Sequence, residues 1–336
     1  MLVLVLAACV LCLHNIGASA ADKFYIYDWP DLVDRYANFT DRSHHGHGVE
    51  IPQWKQHFGA GRQVDSANME HKTSQFGLFK LVYERALMDS VRRTLLPERA
   101  TSFIIPFDIG MHAAFLETNG RMRRTNCPLS DTVMHRLKNS VHFNRNFGHD
   151  HTVIFSVNQN LNYFMGAQKC VDFMRMCWNC TKLSIDEYMF IARDRNFELK
   201  NRGVNWHAVP FPSDYHYSHS EYAAGAKAAA TRGLQYDLPW QNFKNRSIIV
   251  SFVGNTRRYN DISTRIREAL VHQCSNHRPQ CQHGAYKHDN KVGQHHVSRS
   301  SIFCLQPPGD MPTRKSLFDA VLSGCIPGNE RKRHTI

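Results

Sequence analysis

The 336-residue chain has no internal repeat, no long low-complexity segment, no Asp-x-Asp pair and no His-Glu-x-x-His spacing. The first two absences set aside repeat architectures and wholesale disorder. The third removes a common carboxylate device for holding a divalent cation, and the fourth a helical zinc site. Acid is scarce relative to base: 29 Asp and Glu against 41 Lys and Arg, a net charge of +12. Yet the basic residues form no stripe interleaved with stacking aromatics, and no nucleic-acid motif is present, so no nucleic-acid partner is expected. The excess suits anions in general, among them nucleoside diphosphates, acidic glycans and anionic membrane surfaces. With 42% apolar and 21% charged residues, the composition is that of a globular protein, and the length fits two domains.

Residues 1–21 are a segment apart. Met1 to Leu13 are uncharged and almost wholly apolar, and Gly17-Ala18-Ser19-Ala20-Ala21 precede the charged pair Asp22-Lys23. A short apolar run closing on small residues reads as a secretory signal peptide. Carried on to Ala21 it has about 20 residues, enough for a membrane anchor, although His14 and Asn15 interrupt it. Both readings send the chain into the secretory pathway. There the cysteines beyond residue 21 (Cys127, Cys170, Cys177, Cys180, Cys274, Cys281, Cys304 and Cys325) are expected to form disulfides. Cys274 with Cys281, and two of Cys170, Cys177 and Cys180, are plausible local pairs. Three Asn-x-Ser/Thr triplets, at Asn38, Asn179 and Asn245, offer glycosylation sites in the same compartment.

Short apolar runs alternate with helical periodicities along the rest of the chain. Strands are expected at Phe24 to Tyr27, Ser102 to Phe107, Thr152 to Val157, Asn205 to Val209, Ser247 to Val253 and Ser301 to Leu305. From Thr73 to the break at Pro97, a helix would place Phe76, Phe79, Val82, Tyr83, Ala86, Leu87 and Val91 on one face. A second, from Asp261 to His272, would turn Ile262, Ile266, Ala269 and Leu270 inward. A third runs from about Thr313 to Leu322. Strands alternating with helices imply an α/β fold with parallel sheets. We divide the chain into the leader (1–21), a first α/β domain (22–212), a polar crossing (213–245) and a second α/β domain (246–336).

The segment richest in chemistry is Phe303 to Pro327. A strand enters a Pro/Gly turn (Gln306-Pro307-Pro308-Gly309-Asp310), and a helix begins near Thr313 with Arg314 and Lys315 in its first turn. Free N–H groups at a helix start, with a partial positive charge, make an anion site, and two basic side chains add full charges. Asp319 lies within that helix, where its carboxylate could accept ribose hydroxyls. Earlier, His149-Asp150-His151 joins a carboxylate to two imidazoles and is a candidate general base. The same residues could instead brace their own loop. Zinc held by His44, His45 and His47, or by His149 and His151 with Cys177 and Cys180, is the weaker interpretation, because luminal cysteines are more often disulfides.

Five ordered segments resemble the exostosin-like glycosyltransferases of family 47. They are Glu70-His71 through the helix to Phe103-Ile104-Ile105-Pro106-Phe107; Phe143-Asn144-Arg145-Asn146-Phe147-Gly148-His149-Asp150-His151; Val209-Pro210-Phe211-Pro212; Ser251-Phe252-Val253-Gly254-Asn255; and Phe303 to Pro327. The resemblance implies a GT-B architecture, two Rossmann-like domains facing a cleft, with an inverting, single-step transfer from a UDP-type sugar donor to a glycan or glycoprotein. It implies no metal cofactor and a place in the Golgi lumen. By position, Arg314 and Arg257 would meet the diphosphate, with Asp310, Gly254 and Asn255 beside it. Asp319 would hold the ribose, in place of the Glu of many relatives, and Asp150 or His151 would serve as base; His149 replaces the usual Arg. After Pro327 the likeness stops in Gly328 to Ile336, so the second domain is expected to be truncated and this polypeptide inactive. A non-catalytic, glycan-binding or scaffolding relative is the alternative.

Overall fold

The structure is a computed structural model. It describes residues 22–33, 60–61, 63–65, 70–73, 77–108, 117–118, 121–122, 129–156, 168–185, 205–216, 231, 245–256, 261–284, 291–307 and 314–328. The leader, the His44–His47 group, Cys127, Asn38, Arg257, Asp310 and the last eight residues lie outside that set.

In chain order the strands are β1 (Phe24–Ile26), β2 (Gln63–Asp65), β3 (Glu70–His71), β4 (Ser102–Ile104), β5 (Glu117–Thr118), β6 (Arg121–Met122), β7 (His151–Phe155), β8 (Thr181–Ser184) and β9 (Trp206–Ala208). They continue with β10 (Ile248–Val253), β11 (Cys281–Gly284), β12 (Ser301–Leu305) and β13 (Ile326–Gly328). The helices are α1 (Leu78–Met88), α2 (Ser130–Lys138), α3 (Val141–Arg145), α4 (Gln168–Met176), α5 (Asp261–Asn276), α6 (Lys291–Arg299) and α7 (Lys315–Leu322). No described helix is long and apolar enough to cross a membrane. Two compact units result, one of residues 1–39 and 82–208, the other of 40–81 and 209–336.

The first unit is built on a parallel sheet in the order β1-β4-β7-β8-β9, whose strands follow one another in chain order, while β5 and β6 form a separate antiparallel pair. A parallel strand is covered on both faces, which explains why Val153, Ile154 and Phe155 of β7 are all buried. Val153 and Phe155 share one core with Phe103, Val133, Leu137 and Phe173, each large apolar side chain worth roughly 1.5–3 kcal/mol on burial. Cys177 and Cys180 belong to this core as free thiols. The expected pairing within the Cys170, Cys177, Cys180 group therefore fails. Both thiols act as small apolar groups in contact with each other, and burial pushes the Cys177 thiol up.

The second unit has a parallel sheet ordered β11-β10-β12-β13 and an antiparallel hairpin, β2-β3. Disulfides close Cys274 to Cys281, as the spacing suggested, and Cys304 to Cys325. Two helical expectations need correction. Helix α1 stops at Met88, its buried residues are Leu78, Phe79, Lys80 and Leu81, and Val91 lies beyond it, 75% exposed. Helix α5 buries Ser263, Thr264, Arg267 and Cys274, whereas Ile262 faces out. The reason is chemical: the Arg267 guanidinium donates to the Asn255 carbonyl at 2.8 Å, and Cys274 is tied to β11, so polar bonding overrides apolar periodicity.

Candidate functional site

In the second unit β10 sits between β11 and β12, although it precedes both in sequence. The chain thus moves to one side of β10, then returns across it. In open α/β sheets such a reversal leaves a crevice beyond the carboxyl ends of the two strands involved, where ligands bind. Strand β10 ends at Val253 and leads into Gly254-Asn255; β12 ends at Leu305 and leads through Gln306 and Pro307 toward Arg314. Two segments singled out from sequence, roughly fifty residues apart, are therefore delivered by neighbouring strands to the same end of one sheet.

Both segments are held from behind. Gly254 donates its N–H to Gly284 O at 3.1 Å, and its carbonyl meets His283 Nε2 at 3.1 Å, while buried Arg267 takes the Asn255 carbonyl. Helix α7 begins at Lys315, two residues later than expected, with Arg314 extended as its N-cap and no acidic residue in its first turn. Ser316 Oγ donates to Gln306 Oε1 at 2.8 Å, tying that first turn to the end of β12. Arg314 Nη1 donates to Pro307 O at 3.4 Å, a long bond that keeps the guanidinium on this loop.

Lys315 is not a second charge for an anion. Its ammonium lies 2.9 Å from Asp214 Oδ1 and 2.7 Å from Asp319 Oδ2. Burial favours its neutral form, but the two carboxylates outweigh that and hold its pKa above the ordinary lysine value. Asp319 Oδ1 also accepts from Ser213 Oγ (2.6 Å) and from the Asp214 N–H (2.9 Å). Of a carboxylate's four or so acceptor positions, three are filled from within the protein.

The network continues. Asp214 Oδ2 meets His295 Nε2 at 3.1 Å, and His295 Nδ1 meets Glu70 Oε2 at 2.8 Å. Glu70, fully buried, also contacts Arg299. Because each ring nitrogen faces a carboxylate oxygen, the arrangement needs a proton on both nitrogens, or one on a carboxyl group. Basic and acidic side chains thus alternate along Arg299, Glu70, His295, Asp214, Lys315 and Asp319. Three of these, Asp214, His295 and Asp319, bring ligand atoms within 4.8 Å of one another, as a metal site would. The Lys315 ammonium already lies between the two carboxylates, so a divalent cation would have to displace it. Sequence reasoning missed Asp214, Glu70, His295 and Arg267, and Lys315 was assigned a different partner.

In the first unit, Asp150 and His151 follow a tight turn with Phe147 at φ 50° and Gly148 at φ 80°. A Cβ on Gly148 would lie 3.0 Å from Cys180 Sγ and from the Phe143 ring, so both backbone and space call for glycine. Asp150 Oδ1 accepts from His151 Nδ1 at 2.7 Å; its Oδ2 takes Asn146 Nδ2 at 2.7 Å and Arg145 Nη2 at 3.2 Å. Burial alone would raise its pKa, but these hydrogen bonds hold it below the usual carboxylate value. With Nδ1–H given to Asp150, His151 Nε2 accepts from the Tyr27 hydroxyl at 2.8 Å, and Tyr27 in turn accepts from Ser140 at 2.9 Å. His151 is fully buried and stacked on Phe103, and burial pushes its pKa down to about 4, against the pull of Asp150. Tyr27 is pushed up to about 12 by burial. The imidazole is thus neutral, with both nitrogens bonded inside the unit. Asn179 is half-buried and donates to Phe147 O at 3.2 Å, while Asn245 is exposed before β10.

Two parallel sheets with intervening helices, the second reversing its strand order at β10, define a Rossmann-like α/β class of fold. Residues 22–327 match the Exostosin GT47 domain, and the chain belongs to that family. Among its relatives in Arabidopsis thaliana, a probable xyloglucan galactosyltransferase, GT14, is 25% identical over 90% of this chain and 56% of its own length. Another, GT17, is 29% identical over 76% of this chain and 52% of its own. A xyloglucan-specific galacturonosyltransferase is 28% identical over 76% and 36%. The chain spans about half the length of the curated relatives it matches, and less than that of some.

Proposed function

We propose that this chain is a glycosyltransferase that binds a nucleoside-diphosphate sugar, of the UDP type, at the reversal of the second unit's sheet and transfers a hexosyl group to a glycan. The observation that supports this reading is that the adjacent parallel strands β10 and β12 end at the same edge of the sheet, one running into Gly254-Asn255 and the other into Pro307, whose carbonyl accepts from Arg314. Arg314 neutralises the diphosphate as it departs, which is where fixed positive charge lowers the barrier most. Asp319 anchors the start of α7, and its remaining acceptor position takes a ribose hydroxyl. Arg257 and Asp310 complete the proposed donor contacts. Relatives named for galactosyl and galacturonosyl transfer to xyloglucan support a hexose-type donor and a polysaccharide acceptor.

The transfer is proposed as inverting and of the GT-B kind. The acceptor oxygen bonds to the anomeric carbon, the bond from that carbon to the diphosphate oxygen breaks with its electron pair leaving on the nucleotide, and the hydroxyl proton passes to a base. Asp150 is the proposed base, with His151 fixing its orientation. Positive charge for the leaving group comes from side chains, so no divalent metal is called for. Residues 1–21 direct the chain to the secretory pathway, where Asn38, Asn179 and Asn245 are the proposed glycan carriers. Calorimetry with UDP tests the donor site: Arg314→Ala should weaken binding about ten- to a hundredfold, the worth of a charge-assisted hydrogen bond. Equal affinity of parent and variant would refute it. UDP binding without transfer to any glycan would favour a non-catalytic relative.

A further inference from the structure

We propose that the excursion from Met88 to Leu96 in the first unit is a membrane contact, laid on the bilayer surface toward which residues 1–21 direct the chain. Four large apolar side chains are exposed within these nine residues: Met88 (62%), Val91 (75%), Leu95 (73%) and Leu96 (43%). Single exposed apolar residues need no explanation, but a run of them on one excursion does. The backbone here is held by its own hydrogen bonds, so the exposure is built in. Arg93 donates its N–H to Asp89 O at 2.9 Å, and Leu96 donates to Thr94 Oγ1 at 3.1 Å.

The occupant is indicated by what the excursion is fastened to. Phe24 donates its N–H to Arg92 O, and Thr94 donates back to Phe24 O, each at 2.9 Å. Lys23 Nζ donates to Val91 O, and Thr101 donates to Lys23 O at 2.8 Å. The residues that follow the apolar leader are therefore clamped to the exposed patch. Two peptide units span about 8 Å at most, so a leader lying in or against a membrane holds Lys23, and with it Val91 and Leu95, at that surface. A net charge of +12 favours an anionic bilayer. A second copy or a protein partner fits less well, since a stable protein interface buries about 800 Å² on each side, more than one nine-residue excursion offers. The apolar tips suit shallow insertion among headgroups, the mode of interfacial segments.

The inference rests on the membrane-directed reading of residues 1–21, and the test separates the two. The whole chain is expressed through a secretory pathway, and mass spectrometry of its N-terminus records whether the leader is retained. Amide hydrogen exchange is then measured with and without vesicles of phosphatidylcholine and phosphatidylserine. With the leader cleaved, vesicles should slow exchange across 88–96 at least threefold and leave 141–147, which exposes Val141 and Phe147, unchanged. The Val91→Asp/Leu95→Asp variant should keep its thermal midpoint and lose about tenfold in vesicle partitioning. With the leader retained, the chain stays in the membrane and the variant should lose only the protection at 88–96. Unchanged exchange at 88–96, equal protection at 141–147, unaltered partitioning of a cleaved variant, or vesicle-independent self-association abolished by the variant would each overturn the proposal.

Discussion

Lys315 reaches Asp319 one helical turn away at 2.7 Å, and the same ammonium holds Asp214 at 2.9 Å. One side chain thus fixes the first turn of α7, the approach of residues 213–214, and through His295 and Glu70 the β2-β3 hairpin. A buried ion network of this sort is weak evidence of net stabilisation, but it is costly to break at one point.

Replacing Lys315 by Met should therefore destabilise the protein by about 3–5 kcal/mol, because two carboxylates would face each other with no cation between them. Urea unfolding followed by tryptophan fluorescence would measure it. The double variant Lys315→Met/Asp319→Asn should lose less than the sum of the single losses, as neighbours in one network do. Strict additivity would mean that the two side chains do not act together.

Acid should weaken the first unit through His151. Its folded pKa, about 4, lies below the unfolded value near 6.5, so the unfolded chain binds the extra proton between those limits. Stability from this group is complete above pH 6.5 and falls as the pH drops toward 4, by about 3 kcal/mol in all. Asp150, also held low, adds a further loss at still lower pH, as its carboxylate protonates. Unfolding free energies measured from pH 7 to 4 should show this slope, and His151→Gln should flatten it. An unchanged slope in the variant would assign the pH dependence to other groups.

Most of the parallel strands were legible in the sequence because short runs such as Val153 to Phe155 are apolar throughout, as burial on both faces demands. The Cys274–Cys281 bond was legible from spacing. The ends of β10 and β12 could be named, but their adjacency could not, since strand order is a property of the crossovers. The charge network was invisible for a related reason. Glu70 and His295 are 225 residues apart, and nothing in either local pattern marks a partner. Helix α5 misled because its inward face carries Ser263, Thr264 and Arg267. A polar face turned inward reads as a solvent face until its hydrogen-bond acceptor, here Asn255 O, is known. Asp150 and His151 were visible as a pair, while Tyr27 and Ser140, which complete their bonding, lie on distant segments.

The Cys304–Cys325 disulfide joins β12 to the residue before β13 across 21 positions. In the loop-closure account, a bond over that separation stabilises by about 3 kcal/mol. Cys304→Ala/Cys325→Ala should lose roughly that amount, with a lower thermal midpoint in non-reducing buffer. After reduction of disulfides the parent should approach the variant. A midpoint within a degree of the parent's would show that packing around Ala320, not the cross-link, holds α7 on the sheet.

Asp319 allows the anchoring and ribose-binding roles to be separated. Asparagine at this position keeps an acceptor for Ser213 and the Asp214 N–H but removes the charge that meets Lys315. If the carboxylate only anchors α7, the variant should weaken inorganic pyrophosphate and UDP alike, because both would depend on the same displaced helix start. If it also takes a ribose hydroxyl, as proposed, UDP should lose about tenfold more than pyrophosphate, the difference being one hydrogen bond to a charged acceptor. Competition of both ligands against a fluorescent UDP analogue would give the two ratios from one preparation, and Arg314→Ala should show the opposite pattern, with pyrophosphate hit at least as hard as UDP. Equal losses for both ligands in Asp319→Asn would confine this carboxylate to the ion network and move the ribose contact to another residue of the crevice.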